Sequence, residues 1–253
     1  MPKISVIIPF YKEIYLIDRA IKSVVLQNLP KYFEIEVIIG NDSKYSESQI
    51  RSFLSKDSNS ISKIAKNNNE NGAGFARNAA IELSEGDYLA FLDADDYWTE
   101  GKLEEQLKKM EAGANFVTTQ YTFENTTTII TPPKKVSSTF ELLCNTTTGT
   151  STIIITKKLL GNSRFKNIKT TQDTELWARL AGKSDFKYTT CDFIGTIYSP
   201  SDRTSNKFTQ LIKFAAVLKN FNLNLSQKSI ILFRYSARGI LNHYIKKKLL
   251  FAK

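Results

Sequence analysis

The first 42 residues constrain the fold most strongly, because they read as a strand, a helix and a second strand. Residues 4–9 form a short apolar run that a proline ends, which is typical of a buried strand. Residues 13–28 have apolar side chains at helical spacing, and residues 34–39 are again rich in β-branched residues. Such a βαβ unit implies parallel strands joined by a right-handed crossover. We therefore predict an α/β fold with a mostly parallel central sheet and flanking helices.

Later segments continue this pattern. Residues 43–69 are expected to hold a helix between polar loops, and the Thr-rich residues 122–151 to form an irregular excursion. Thr99 and Thr171 are positioned to cap helices. We predict further helices over 73–83, 99–111, 172–181, 208–218 and 230–250, and strands over 88–92, 116–123 and 151–156.

Polar residues follow three of the predicted strands. Open parallel sheets bind ligands beyond the carboxyl ends of their strands. Residues 9–11 and Asp42 lie at two such ends, and Asp93, Asp95 and Asp96 follow the strand over 88–92. Closely spaced carboxylates suit Mg²⁺ or Mn²⁺, although aspartates here could equally form a turn and cap a helix. Because these aspartates follow the end of a strand, we retain both interpretations: a metal site and a purely structural turn.

A glycine-rich stretch opens the predicted helix over 73–83. Gly72 and Gly74 lie at its entrance, and Arg77 follows one turn later. This is not a dinucleotide-binding fingerprint, because no strand directly precedes it and the glycine spacing differs. The stretch either supplies loop flexibility with an exposed arginine or closes over a nucleotide with Arg77 facing an anion.

Asp173 begins the predicted helix over 172–181. It shares a helix face with Leu176 and Trp177, so it is expected to point inward, while Glu175 and Arg179 are expected to form a solvated pair. An inward carboxylate at a helix start can favour the helix dipole or act as a general base, since an ordinary aspartate is ionised at neutral pH.

Positive charge is concentrated at the end of the chain. Eleven of the 35 Lys and Arg residues, and none of the 25 Asp and Glu residues, lie from Arg203 to Lys253. The net charge of +10 therefore belongs to the last fifth of the chain. This asymmetry favours an anionic partner for the tail, and Lys246, Lys247 and Lys248 beside apolar residues favour a membrane surface. Packing of the same helices on the body is the structural alternative.

The composition excludes several other classes of protein. His243 is the only histidine, so no Cys/His zinc cluster exists, and we interpret this residue as a surface or interface residue. Cys144 and Cys191 are expected to be buried thiols in a reducing compartment. The apolar start lacks the cleavage site of a signal peptide, and no run of 18 apolar residues occurs.

Taken together, four ordered blocks resemble the family-2 glycosyltransferases of bacterial surface-polysaccharide assembly. The similarity runs from about Ile4 to Leu180. Its blocks are residues 5–11, 38–42, 71–96 and 172–179.

The resemblance implies a GT-A fold over residues 1–200, with a nucleotide-binding half (1–112), an acceptor-side half (113–200) and a basic helical extension (201–253). It implies an inverting, metal-dependent sugar transferase, with Asp173 as base, Asp95 as ligand of Mn²⁺ or Mg²⁺ and Trp177 on the acceptor side. The expected partners are a nucleotide sugar, best matched by a UDP-sugar, and an oligosaccharide or lipid-linked acceptor at the inner face of the plasma membrane. Contacts with the nucleotide sugar are implied for Pro9, Tyr11, Glu13, Asp42, Gly74, Arg77, Asp93, Ala94 and Asp95.

The chain departs from the family pattern at three places. Ser43 and Lys44 replace the usual Gly-Ser, Gln172 replaces the acid before the base, and residues 196–199 lack an Arg and a His. Two other functions remain as alternatives. A nucleotidyltransferase would need a basic glycine-rich loop where residues 10–13 stand. A non-enzymatic module would bind anionic surfaces through the tail, but the near-neutral body argues against a nucleic-acid groove.

Overall fold

The computed structural model describes residues 1–66, 71–168, 170–199 and 207–250, with side chains over the same ranges except 207–208 and 238–250. Over these residues the chain forms one sheet of eight strands. The strands are β1 (Lys3–Phe10), β2 (Glu34–Asn41), β3 (Ser62–Lys66), β4 (Tyr88–Phe91), β5 (Tyr97–Trp98), β6 (Phe116–Phe123), β7 (Ile154–Thr156) and β8 (Tyr188–Tyr198).

The strand order is β3-β2-β1-β4-β7-β6-β8-β5. The half of the sheet formed by β3, β2, β1 and β4 is parallel throughout. In the other half, β6 and β8 are parallel, while β7 and β5 run antiparallel to their neighbours. The α/β class and the first βαβ unit are thus confirmed, in a mixed sheet with a parallel half.

Helices cover both faces of the sheet. They are α1 (Ile17–Val25), α2 (Glu47–Ser52), α3 (Lys56–Ile61), α4 (Ala73–Leu83), α5 (Lys102–Glu111), α6 (Thr139–Cys144), α7 (Lys157–Leu160), α8 (Gln172–Ala181), α9 (Lys207–Val217) and α10 (Leu225–Leu250). Two 3₁₀ turns, Thr150–Thr152 and Leu218–Asn220, complete the elements of the described residues.

The alternation of β1 divides the core into two layers. Ile4, Val6 and Ile8 pack with α1 and α5, whereas Ile7 faces the layer formed by α4, α6 and α8. The helix α4 lies very close to β2, because a Cβ on Gly40 would meet the carbonyl oxygen of Ala76 at 1.9 Å. Position 40 must therefore be glycine for α4 to pack directly against the end of β2.

Several sequence predictions need correction. The strand β3 lies within the segment expected to be a helix between loops, and β8 was not predicted at all. Residues 151–153 belong to the 3₁₀ turn and its end, so β7 is shorter than expected. Neither predicted cap forms, because Thr171 adopts a left-handed φ of 61° without a capping hydrogen bond, while α5 begins after Gly101.

The first part of the basic extension packs on the body. Phe214 of α9 and Ile231 of α10 are fully buried in the same core as α8. No helix in the described ranges has both the length and the hydropathy to cross a bilayer. The predicted boundary after residue 200 lies outside the described residues, so the division at 112 and 200 stays a prediction.

Candidate active site

The parallel half of the sheet brings the predicted donor-side residues to one edge. Phe10 of β1 pairs with Asn41 of β2, and the backbone amide of Asp42 donates to the Phe10 carbonyl at 2.8 Å. Strand β4 runs parallel to β1 and ends just before the aspartates that begin at Asp93. The expectation that polar residues gather beyond the carboxyl ends of the parallel strands is therefore confirmed.

Glu13 shapes the loop that follows β1. Its Oε2 accepts hydrogen bonds from the backbone amides of Tyr11 and Lys12 at 3.2 and 2.9 Å. Pro9 is buried, whereas the Tyr11 ring is 61% exposed at the edge of the sheet. Glu13 thus fixes the conformation of this loop. Tyr11 carries the exposed ring that a planar ligand can reach.

Asp42 joins the end of β2 to the start of α4. Its Oδ2 accepts from the backbone amide of Gly72 at 2.7 Å. Gly72 has a φ of 132°, a conformation that favours glycine. The glycine turn and the half-buried carboxylate are therefore parts of one structure.

Gly74 has a packing role that its sequence context did not indicate. A Cβ at this position would lie 2.5 Å from Oε1 of Gln172 and 3.1 Å from Cβ of Phe165. The residue is buried. Gly74 thus allows a close approach between the N-terminal turns of α4 and α8, and its expected nucleotide contact stays a prediction.

Arg77 also differs from expectation, because it is buried and paired. Its Nη2 lies 2.5 Å from Oδ1 of Asp93, and its guanidinium lies over the Phe165 ring, 5.4 Å from the centroid. Asn78 fixes Phe165 by exchanging hydrogen bonds with its backbone amide and carbonyl. Arg77 thus orients Asp93, and its expected contact with the nucleotide sugar stays a prediction.

Three aspartates form a compact cluster after β4. Ligand oxygens of Asp93, Asp95 and Asp96 all lie within 4.8 Å of one another. Asp96 is buried, and this burial, together with the charge of Asp93, raises the pKa of Asp96 to about 8. Closely spaced hard oxygen donors fit a divalent cation such as Mg²⁺ or Mn²⁺. The Ala94 side chain is buried, so only its backbone can face a ligand.

The backbone of this cluster is held from two other elements. The carbonyl oxygen of Asp95 accepts from Nη2 of Arg19 at 2.9 Å and from Oγ of Ser199. The backbone amide of Ser199 donates to Oδ1 of Asp96 at 3.2 Å. No local pattern in the sequence distinguishes Arg19 or Ser199, since each acts through a contact with a residue distant in the chain.

The Thr150–Thr152 turn connects this cluster with Asp173. Oγ1 of Thr150 donates to Oδ2 of Asp173 at 2.9 Å. The next residue, Ser151, donates from Oγ to Oδ2 of Asp96 at 2.6 Å and accepts from the backbone amide of Asp93 at 3.1 Å. Two adjacent side chains therefore place the predicted base beside the predicted metal site.

Asp173 lies half-buried in the first turn of α8. Its second oxygen, Oδ1, accepts from the backbone amide of Thr174 at 2.7 Å. The neighbouring Glu175 is fully buried and forms ion pairs with Lys166 at 2.8 Å and Arg179 at 3.0 Å. The expectation of a solvated Glu175–Arg179 pair is thus wrong, because the loop before α8 covers it with Lys166.

Trp177 belongs to the core and does not face an acceptor. The side chain is 1% exposed. Rings of Phe91, Phe116 and Phe165 surround it with centroids 5.0, 5.6 and 5.7 Å away. Its predicted acceptor-side position is therefore corrected to a packing position behind the site.

Comparisons with known proteins agree with the architecture and the motifs. Residues 5–170 match the family model described as glycosyl transferase family 2. The chain is 30% identical over 250 residues to the UDP-Glc:alpha-D-GlcNAc-diphosphoundecaprenol beta-1,3-glucosyltransferase WfaP of Escherichia coli, with 96% of each chain covered. It is 34% identical over 194 residues to the putative teichuronic acid biosynthesis glycosyltransferase TuaG of Bacillus subtilis, covering 74% of this chain and 75% of that one.

Solved structures extend the comparison to the fold. S. aureus TarS 1-349 in complex with UDP-GlcNAc superimposes with a TM-score of 0.67 at 21% identity, covering 92% of this chain and 71% of that chain. The GT-A fold is thereby confirmed. The family match and the named glycosyltransferase relatives set aside the alternatives of a nucleotidyltransferase and a non-enzymatic module. The chain belongs to glycosyl transferase family 2 and is a glycosyltransferase.

Proposed function

We propose that this enzyme is an inverting, metal-dependent transferase that moves a hexosyl or N-acetylhexosaminyl group from a UDP-sugar to a hydroxyl of a lipid-linked acceptor or growing surface glycan. The observation that carries the proposal is the Thr150–Thr152 turn, which contacts both Asp173 and the aspartate cluster. A transferase needs a proton acceptor for the attacking hydroxyl close to the groups that hold the leaving diphosphate. The WfaP and TuaG names support the donor class and the polysaccharide setting.

The donor side would use the edge formed by β1, β2 and β4. Tyr11 would stack on the uracil, and Asp42 would accept a hydrogen bond from it. Asp93, fixed by Arg77, would orient the ribose or share the cation. Asp95 would hold the Mn²⁺ or Mg²⁺, which when bound neutralises charge on the diphosphate leaving group. Mannosyltransferase PcManGT, a structure with the same fold, contains GDP-Man and Mn²⁺.

The acceptor side would use Asp173. Its carboxylate would take the proton of the acceptor hydroxyl while that oxygen attacks the anomeric carbon. The bond to the diphosphate breaks on the opposite face of the sugar, and its electrons leave with the nucleoside diphosphate. A single displacement of this kind inverts the anomeric configuration. Thr150 would keep Oδ2 of Asp173 in place for this step.

A lipid-linked acceptor would place the reaction at a membrane. WfaP is named for an acceptor carried on diphosphoundecaprenol, and a Campylobacter jejuni relative is named for a glycan on the same kind of carrier. We propose that the enzyme works at the cytoplasmic face of the plasma membrane in lipopolysaccharide or capsule assembly.

The test is transfer from a panel of UDP- and GDP-sugars to a synthetic lipid-linked acceptor, with Mn²⁺, with Mg²⁺ and with a chelator. We expect nucleoside diphosphate release with a UDP-sugar that depends on the cation, and a product of inverted anomeric configuration by NMR. Retained configuration, preference for GDP-sugars or full activity in the chelator would each contradict the corresponding part of the proposal.

A further inference from the structure

The exposed side of α10 has a composition unlike that of an ordinary solvated helix. Ile230 and Phe233 are 45% and 74% exposed, and Arg234 and Ala237 are exposed beside them. These positions follow one another at three- and four-residue spacing, so they share one face of the helix. In the sequence, the same spacing continues through Leu241 and Tyr244. The described part of this face thus places two large apolar side chains beside one cation, Arg234.

The opposite side of α10 is fixed to the body. Ile231 is fully buried, and the Tyr235 ring stacks on Phe214 of α9 with a centroid distance of 4.2 Å. Leu232 also packs against the core that includes α6 and α8. Because the inner side is anchored in this way, the exposed face has a defined orientation relative to the site.

The helix passes close to the proposed base. Burial raises the pKa of Tyr235, and the negative charge of Asp173 adds to this shift. The helix α6, which contacts α10, is in turn joined to α8 by a hydrogen bond of 2.9 Å from Oγ1 of Thr139 to the carbonyl of Ala178. Tyr235, on the inner side of α10, therefore lies near Asp173, and α6 links α10 to the helix that carries this residue.

We propose that the face of α10 formed by Ile230, Phe233, Arg234 and Ala237 rests on an anionic lipid bilayer and so holds the enzyme beside acceptors embedded in it. This inference rests on the proposed function for the lipid-linked acceptor. Charge complementarity identifies the occupant, since the chain has eleven cations and no acid from Arg203 onward. Apolar side chains that enter the interface, flanked by cations near anionic headgroups, are the pattern of interfacial helices.

The experiment is sedimentation of the full chain with phosphatidylcholine vesicles, with and without phosphatidylglycerol, at low and high salt. We compare the wild type with Ile230→Ser/Phe233→Ser and with the control Phe53→Ser, which removes a ring that is 42% exposed outside the tail. We expect binding that needs the anionic lipid and weakens with salt. The double variant should bind at least about tenfold more weakly, equivalent to about 1.4 kcal/mol, while the control binds like the wild type. Charge reversal by Lys213→Glu/Arg234→Glu should weaken binding in the same direction, and it tests the proposal should the first variant misfold.

Activity separates this inference from the proposed function. With a soluble short-chain acceptor, both tail variants should keep wild-type turnover, whereas with a vesicle-embedded lipid-linked acceptor they should lose it in proportion to binding. Wild-type protein that stays in the supernatant under every condition, or variants that bind unchanged, would overturn the inference. A wild-type dimer that the double variant dissociates would instead assign the face to a second copy. Absence of transfer by the wild type to every acceptor would contradict the proposed function and leave the binding result standing.

Discussion

The aspartate cluster and Asp173 lie on either side of the Thr150–Thr152 turn, and the protein holds them in different ways. The cluster receives hydrogen bonds or ion pairs from four separate parts of the chain, through Arg19, Arg77, Ser151 and Ser199. Asp173 is contacted by Thr150 and by the backbone of its own neighbour, Thr174. The cluster is thus redundantly fixed, whereas the orientation of Asp173 depends strongly on one hydroxyl.

This difference makes physical sense for two groups with different tasks. Carboxylates brought close together repel one another, so they need several donors to remain in one place. A base must accept a proton and release it again, which requires an oxygen that the acceptor can reach. The half-buried position of Asp173, beside the fully buried Glu175, meets that requirement. We therefore expect substitutions of Asp173 and substitutions in the aspartate cluster to have different kinetic effects.

The largest expected effect is that of Asp173→Asn. Loss of a general base should lower kcat by roughly 10²- to 10⁴-fold. The donor KM should change little, because the carboxylate acts on the acceptor. Steady-state kinetics at saturating acceptor measure both values, and Asp185→Asn, at an exposed position, is the matched control. Near wild-type turnover in Asp173→Asn would contradict the assignment of Asp173 as the base and would leave only its favourable interaction with the helix dipole.

We expect a smaller effect on activity for Asp95→Asn, in the aspartate cluster. Loss of a metal ligand should raise the Mn²⁺ concentration for half-maximal activity by at least about 10- to 100-fold, since even the residues that orient metal ligands contribute that much. The melting temperature should stay close to that of the wild type, because the carbonyl of Asp95, which the substitution leaves in place, makes the contacts with Arg19 and Ser199. An unchanged Mn²⁺ titration and unchanged turnover would contradict the assignment.

Thr150→Val tests the single hydroxyl that holds the base. A hydrogen bond to a charged group contributes about 1.5 kcal/mol or more, so kcat should fall about tenfold at an unchanged donor KM. Thr150→Ser, which keeps the hydroxyl, should restore most of the rate. Thr119→Val is the control, because Oγ1 of Thr119 is buried and has no hydrogen-bond partner among the described residues. Equal losses in Val and Ser variants would show that packing, not the hydrogen bond, matters at this position.

Sequence patterns predicted local elements far better than the contacts between them. The bounds of α4, β6 and α8 agree with the predictions to the residue, because apolar spacing and glycine ends define them locally. Strand β3 was missed because it is a short, polar edge strand. Strand β8 was missed because buried hydroxyl groups occupy positions where a buried strand usually has apolar side chains. The hydroxyl of Thr190, for example, forms hydrogen bonds with the hydroxyls of Thr118, at 2.7 Å, and of Tyr188.

The same limit applies to the site. Asp93, Asp95 and Asp173 were predicted because strand ends and helix faces can be read from short stretches of sequence. Thr150 and Ser151 were not, because they lie in a Thr-rich stretch where nothing distinguishes a residue that contacts Asp173 from its neighbours. Gly74 was recognised as significant, but its physical reason involves Gln172, almost a hundred residues away in the sequence.

The smallest expected effect, that of Gly74→Ala, decides between the two roles of this glycine. A Cβ would meet Oε1 of Gln172 at 2.5 Å, and this atom is the end of a flexible side chain that can move away. The displaced carboxamide costs about 0.5–1.5 kcal/mol, so kcat should fall only about threefold through a small shift of the start of α8.

Gln172→Ala in the same chain should relieve that loss, because it removes the atom that the new methyl group meets. The double-mutant cycle therefore yields a coupling between the two positions, since their effects are not additive when the residues touch. Donor affinity should be the same in all four proteins. If Gly74→Ala instead weakens UDP-sugar binding, and Gln172→Ala does not restore it, then the backbone at Gly74 contacts the nucleotide, as the sequence alone suggested.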